Sequence, residues 1–114
     1  MAPLTICVTG GTGFIGRHFT QRVERENVNA RILTRHEKDL TSDDQLSYFQ
    51  GDLLDRNSLR SFVEPGSVVV HLAYLPAKSF GENLQALENL TNICREKKIL
   101  RFVHVSTAIV AGVV

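Results

Sequence analysis

The sequence predicts an α/β fold, a doubly wound parallel sheet with the strand order 3-2-1-4-5. Three observations point there. Strand-like and helix-like patterns alternate from one end of the 114 residues to the other. The run Val68-Val69-Val70-His71-Leu72-Ala73 is continuously apolar and β-branched, which suits a strand buried on both faces of a parallel sheet. A glycine-rich turn, Gly10-Gly11-Thr12-Gly13, follows the first apolar run directly.

In chain order, Thr5–Thr9 reads as the first strand. Gly13–Glu26 reads as a helix, with Ile15, Phe19 and Val23 four residues apart on one face. Ala30–Thr34 is a second strand, and Asp43–Gln50 holds a short third one built on Leu46, Tyr48 and Phe49. Asp55–Glu64 is a short helix that turns Leu59, Phe62 and Val63 inward and stops at the breaker Pro65-Gly66. Ser67–Ala73 is the fourth strand. Glu82–Lys98 is a long helix with a stripe of Leu84, Leu87, Leu90 and Cys94, and Arg101–Ser106 is the fifth strand. Helical crossovers between strands imply parallel pairing with right-handed connections. The chain stops at Val114, soon after the fifth strand, so the sheet is expected to be incomplete on that side, with an edge that tends to pair with another chain.

Composition narrows the function classes. A chain of 114 residues reads as one domain. Its 43% hydrophobic and 22% charged residues are ordinary for a globular protein. The net charge of +1 and the absence of a basic tract argue against a nucleic-acid partner. Cys7 and Cys94 read as buried reduced thiols, and the N-terminus resembles no signal peptide, so the expected compartment is the cytoplasm. No apolar stretch reaches the roughly 20 residues that cross a bilayer. No Cys/His cluster has zinc spacing, so no metal is expected. His71 and His104, inside strands, read as packed histidines.

The segment Val8–Gly16, Val-Thr-Gly-Gly-Thr-Gly-Phe-Ile-Gly, carries the chemistry. It sets Gly10, Gly13 and Gly16 three residues apart between a strand and a helix, the context in which such a pattern becomes specific. Glycine lets backbone approach a ligand without a Cβ clash. The first N–H groups of the helix and the positive end of its macrodipole then attract a diphosphate.

These residues resemble the extended short-chain dehydrogenase/reductase family, the NAD(P)-dependent epimerase/dehydratase group. The glycine segment Thr9–Gly16 is similar to that family's nucleotide signature at every position. Gly51-Asp52-Leu53, His71-Leu72-Ala73, Asn83 with Asn89-Leu90, and Phe102–Thr107 follow in the family's order. The resemblance implies a Rossmann domain over 1–114, truncated relative to the family. It implies that Gly10, Gly13, Phe14, Ile15 and Gly16 face the cofactor, with Asp52 and Leu53 beside the adenine. It also brings Leu72, Ala73, Tyr74, Asn83 and Val105 to the cofactor, and Thr107 to the position of a catalytic Ser or Thr, with Ser106 as its neighbour. On the residues alone, Asp52 is equally a loop cap. Two departures stand out. Ala86-Leu87 replaces the family's Gly-Thr, and the family's Tyr-x-x-x-Lys after the fifth strand has no counterpart here. Tyr74 and Lys78 have that spacing, but Pro76 between them opposes a helix, so they read as a decoy.

At the end of the second strand, Thr34-Arg35-His36 offers Arg35 where NAD-specific members of the family carry an acid. A guanidinium binds a 2′-phosphate bidentately. NADP is therefore the expected cofactor, with NAD as the alternative. Arg17 is either a second phosphate ligand or a solvated charge. The resulting expectation is the dinucleotide-binding portion of an NAD(P)-dependent sugar-nucleotide epimerase/dehydratase or carbonyl reductase, inactive alone and self-associating through its sheet edge. The parent's substrate is expected to be a small molecule such as a nucleotide sugar. The alternative is a non-catalytic NADP-binding redox sensor or regulatory module.

Overall fold

The structure is a computed structural model that describes residues 3–36, 42–75 and 77–105, with Phe14 described in its backbone alone. The strands are β1 (Leu4–Thr9), β2 (Val28–Thr34), β3 (Leu46–Gln50), β4 (Val68–His71) and β5 (Arg101–His104). The helices are α1 (Phe14–Val23), α2 (Arg56–Phe62) and α3 (Phe80–Glu96). The strands form one sheet in the order β3-β2-β1-β4-β5, and every pairing is parallel. The predicted elements are all present, with ends displaced by a few residues.

Each helix end has a local cause. Gly13, extended at φ −79° and ψ −174°, starts α1 without contributing a side-chain cap. Asp55 starts α2 by accepting from Asn57 N at 3.0 Å. Ser79 and Glu82 form a reciprocal capping box that starts α3 at Phe80, two residues ahead of the position read from the apolar stripe.

Alternation along the strands sends neighbours to opposite faces of the sheet. On one face Val8, Ala30, Ile32 and Leu46 pack with Val23 of α1. On the other, Cys7, Leu33 and Val69 meet Leu59 and Phe62 of α2 and Leu90, Ile93 and Cys94 of α3. The path β1→β2 runs one way across the sheet and β4→β5 the other, so right-handed crossovers place α1 and α3 on opposite sides.

Two predicted apolar stripes are buried only in part. Ile15 is 56% exposed, because the first turn of α1 overhangs the sheet end and does not lie on it. Leu84 is 45% exposed and Leu87 half-buried, and the buried stripe of α3 is Ala86, Asn89, Leu90, Ile93 and Cys94. The small Ala86 lets this row approach α2 and the sheet. Cys7 and Cys94 are buried and free, and burial pushes the Cys94 thiol up to about 12.

Candidate functional site

A cleft of about 420 Å³ opens at the carboxyl ends of β1, β2, β3 and β4. It lies at β1, where the strand order reverses, the position at which open α/β sheets bind ligands. Its volume is in the range of small-molecule sites. Four segments build its walls. The β1–α1 turn supplies Thr9, Gly10, Thr12, Gly13, Ile15 and Gly16, and the end of β2 supplies Leu33, Thr34, Arg35 and His36. The turn after β3 supplies Gly51, Asp52 and Leu53, and the loop after β4 supplies Leu72, Ala73, Tyr74 and Leu75.

The glycine turn is shaped by the chain on two sides and by nothing on the third. Gly10 holds φ +75°, and a Cβ there would lie 2.6 Å from Ala73 N. A Cβ on Gly16 would lie 2.1 Å from Gly10 O, so α1 can pack against the turn only through a glycine. Gly13 differs. Its φ is ordinary, and its Cβ would meet only Gly10 O, at 3.4 Å. Internal packing therefore leaves Gly13 unexplained, and the side it presents lines the cleft.

Gly13 N donates to Gly10 O at 3.1 Å and closes the turn. The first helical bond runs from Arg17 N to Gly13 O at 2.9 Å. The N–H groups of Phe14, Ile15 and Gly16 precede it and have no carbonyl one turn back within α1. The first turn of α1 carries no acid. This end of the cleft therefore attracts an anion.

The loop after β4 is anchored to β1 through Thr9. Leu72 N donates to Thr9 O at 3.0 Å, and Ala73 N donates to Thr9 Oγ1 at 3.3 Å. The same hydroxyl bonds Nδ1 of His71, and burial together with the nearby His104 lowers the His71 pKa to about 4. At the far end Asp52 is a loop cap that also borders the cleft, its Oδ1 accepting from Leu54 N at 2.9 Å.

Of the predicted binding residues, Gly10, Gly13, Ile15, Gly16, Arg35, Asp52, Leu53, Leu72, Ala73 and Tyr74 are brought together around the cleft. Phe14 contributes its backbone to the helix start. Asn83 stands behind the wall. Its Oδ1 accepts from Leu75 N at 2.8 Å, and its Nδ2 donates to Leu75 O at 2.9 Å and to Ser79 O at 3.1 Å. Val105, past the end of β5, donates its N–H to His71 O at 3.1 Å and is not among the cleft-lining residues. Arg17 Nε braces Thr12 O at 3.3 Å and does not line the cleft. Ser106, Thr107 and Pro76 lie outside the described residues. Tyr74 lies in the loop after β4 and is 54% exposed, while Lys78 pairs with Glu82 at 4.0 Å, so the two share no helix face. Sequence reasoning passed over Thr9, Thr12, Leu33, Thr34, His36, Gly51 and Leu75 as lining residues. Thr9 and Thr12, inside the glycine segment, and Gly51, inside the Gly51-Asp52-Leu53 motif, carried a signal.

Among the described residues no helix is long and apolar enough to cross a membrane, and no three His, Cys, Asp or Glu side chains gather as metal ligands.

Comparison with known proteins agrees with this architecture. The chain is 30% identical over 132 residues to an uncharacterized UDP-glucose epimerase of Bacillus subtilis, covering 96% of this chain and 42% of that protein. The structure resembles the UDP-N-acetylglucosamine 4-epimerase of Bacillus cereus, with a TM-score of 0.73 and 30% identity over 91% of this chain and 35% of that one. It also resembles a mutant uronate dehydrogenase of Agrobacterium tumefaciens complexed with NAD, with a TM-score of 0.77 and 27% identity over 93% of this chain and 42% of that one. The chain thus spans less than half the length of each. The family model of the NAD dependent epimerase/dehydratase family matches residues 6–114, and the chain belongs to that family.

Proposed function

We propose that this chain binds a nicotinamide dinucleotide across the cleft, as the cofactor-binding portion of an NAD(P)-dependent sugar-nucleotide epimerase/dehydratase or carbonyl reductase. The observation that carries the reading is Gly13, a glycine that its own chain does not need, at an anion-attracting helix start. A Cβ at that point would intrude on a diphosphate. Backbone N–H groups of Phe14, Ile15 and Gly16 hold the diphosphate. Asp52 and Leu53 flank the adenine, and Leu72, Ala73 and Tyr74 flank the remainder of the cofactor. When bound, the nicotinamide exchanges a hydride with substrate.

NADP is the preferred form. Of Leu33, Thr34, Arg35 and His36, which line the cleft at and just after the end of β2, none is an acid, and Arg35 supplies a guanidinium. Thr107 is assigned the substrate hydrogen bond, and on its own the 114-residue chain is catalytically inert because its single Tyr-x-x-x-Lys spacing, Tyr74 to Lys78, is not helical. The substrate of the whole protein is a small molecule such as a nucleotide sugar, and the chain self-associates along β5.

Calorimetry of the chain with NADPH and with NADH tests the reading. Gly13→Val is expected to stay folded and lose about tenfold or more in affinity for both, a loss of ~1.4 kcal/mol or greater. Arg35→Ala is expected to weaken NADPH and leave NADH unchanged. Full affinity in the Gly13→Val variant overturns the dinucleotide reading, and equal affinity of the wild type for the two cofactors overturns the NADP assignment.

A further inference from the structure

The carboxamide of Asn89 is 3% exposed, in the middle of α3, on a row that is otherwise apolar. Burying an amide there is unfavourable unless its bonds are made. They are made to a specific place. Nδ2 donates to Leu53 O at 3.0 Å, and Oδ1 accepts from Gln85 Nε2 at 2.8 Å. Leu53 O is an acceptor only, so the amide nitrogen must face it, and Asn89 Oδ1 on the other side then accepts from the NH₂ of Gln85.

Leu53 is the inner end of the Gly51–Leu53 wall of the cleft. The outer part of that turn is self-supporting. Ser58 Oγ receives Asp52 N and donates to Asp52 O, each at 3.0 Å, and Asp52 Oδ1 takes Leu54 N. None of these bonds fixes how far the turn stands from α3. The Asn89 bond does, from an element that lines no part of the cleft itself. Asn83, less than two turns earlier on the same helix, grips Leu75 in the opposite wall with both ends of its carboxamide. One helix therefore spaces the two walls through two amides.

We propose that Asn89, braced by Gln85, is a positioning residue for nucleotide binding: it sets the wall assigned above to the adenosine half of the cofactor. The inference rests on that functional reading. Removing the amide leaves Leu53 O buried without its donor, and the turn shifts to find another. Affinity for the adenosine half then falls, while the glycine turn, held by Thr9 and α1, is untouched.

The test compares ADP with inorganic pyrophosphate by amide chemical-shift titration, which reads weak binding. Pyrophosphate needs only the glycine turn, whereas ADP also needs the Asp52–Leu53 wall. In Asn89→Leu the ADP dissociation constant is expected to rise about fivefold to tenfold, the worth of one lost hydrogen bond, while that of pyrophosphate stays within about twofold. Gln85 is exposed, so Gln85→Ala keeps the core intact and is expected to give a smaller rise of about threefold, again for ADP alone. The second variant decides the matter should the first not fold. Unchanged ADP affinity in the folded variants, or an equal loss for both probes, overturns the role of Asn89 and leaves the dinucleotide reading standing. A wild-type chain that fails to take up either probe removes that reading and this inference with it.

Discussion

His71 is 5% exposed at the end of β4, with its ring centroid 5.2 Å from that of His104 and 6.3 Å from that of Phe102. Thr9 Oγ1 already takes the N–H of Ala73, so the hydroxyl proton is available for His71 Nδ1, and the neutral imidazole accepts it. Burial first, and the neighbouring His104 second, hold the folded pKa near 4, against an ordinary value of 6.5. A depressed histidine pKa means that the unfolded chain takes up the proton first. The contribution of His71 to stability is complete above pH 6.5 and is lost as pH falls from there towards 4. A shift of this size corresponds to about 3 kcal/mol at most. Urea denaturation between pH 7 and pH 4.5 is expected to show falling stability in the wild type and a flatter profile in His71→Gln. Stability that rises on acidification would contradict the assignment.

At the scale of the element, α3 is fixed by local hydrogen bonds at both of its ends. Its start is the Ser79–Glu82 capping box, and Ser79→Ala is expected to lower stability by about 1 kcal/mol. Its end is a Schellman motif: Lys98 N donates to Arg95 O at 3.2 Å and Ile99 N to Cys94 O at 3.3 Å. The residue in the left-handed position is Lys98, at φ +53°, where a side chain is strained. Lys98→Gly is therefore expected to raise the denaturation midpoint by the equivalent of ~1 kcal/mol, with an unchanged denaturant slope. A lower midpoint would show that the lysine side chain contributes more than its backbone costs. Arg31 links β2 to α2 in a comparable way, stacked 3.8 Å from the Phe49 ring centroid and donating to Phe62 O and Ser61 O at the end of α2.

Across the whole molecule the two faces of the sheet are unequally covered. Among the described residues α2 and α3 share one face, while α1 alone packs on the other. On that second face Val103 pairs in register with Val70 and remains 38% exposed, and Leu4 and Val105 are exposed too. Strand β5 is the end of the sheet among the described residues. An apolar edge of this kind invites pairing with a second copy. Light scattering over a range of concentrations is expected to show an average mass that rises with concentration, and Val103→Lys is expected to suppress the rise. A monomer at every concentration would refute self-association along β5.

The architecture was legible in the sequence because periodicity and glycine spacing are local properties. Alternation from Thr5 to Ser106, the valine run before His71 and the glycines at 10, 13 and 16 were enough for the strand order and for the position of the cleft. The partners of polar side chains were not legible, because they depend on which distant segments the sheet brings together. Asn83 could be read as facing a cofactor, yet it faces Leu75, and Asn89 carried no signal beyond its spacing although it reaches Leu53 across 36 residues of chain. Ile15 and Leu84 matched helical stripes, but a stripe is buried only where the sheet extends beneath it. The sequence by itself determined the alternation of strands and helices, the place of the glycine turn and, through the resemblance of its motifs, the family whose model matches residues 6–114. Tertiary packing alone decided how wide the cleft stands, since that distance is set by hydrogen bonds between elements far apart in the chain.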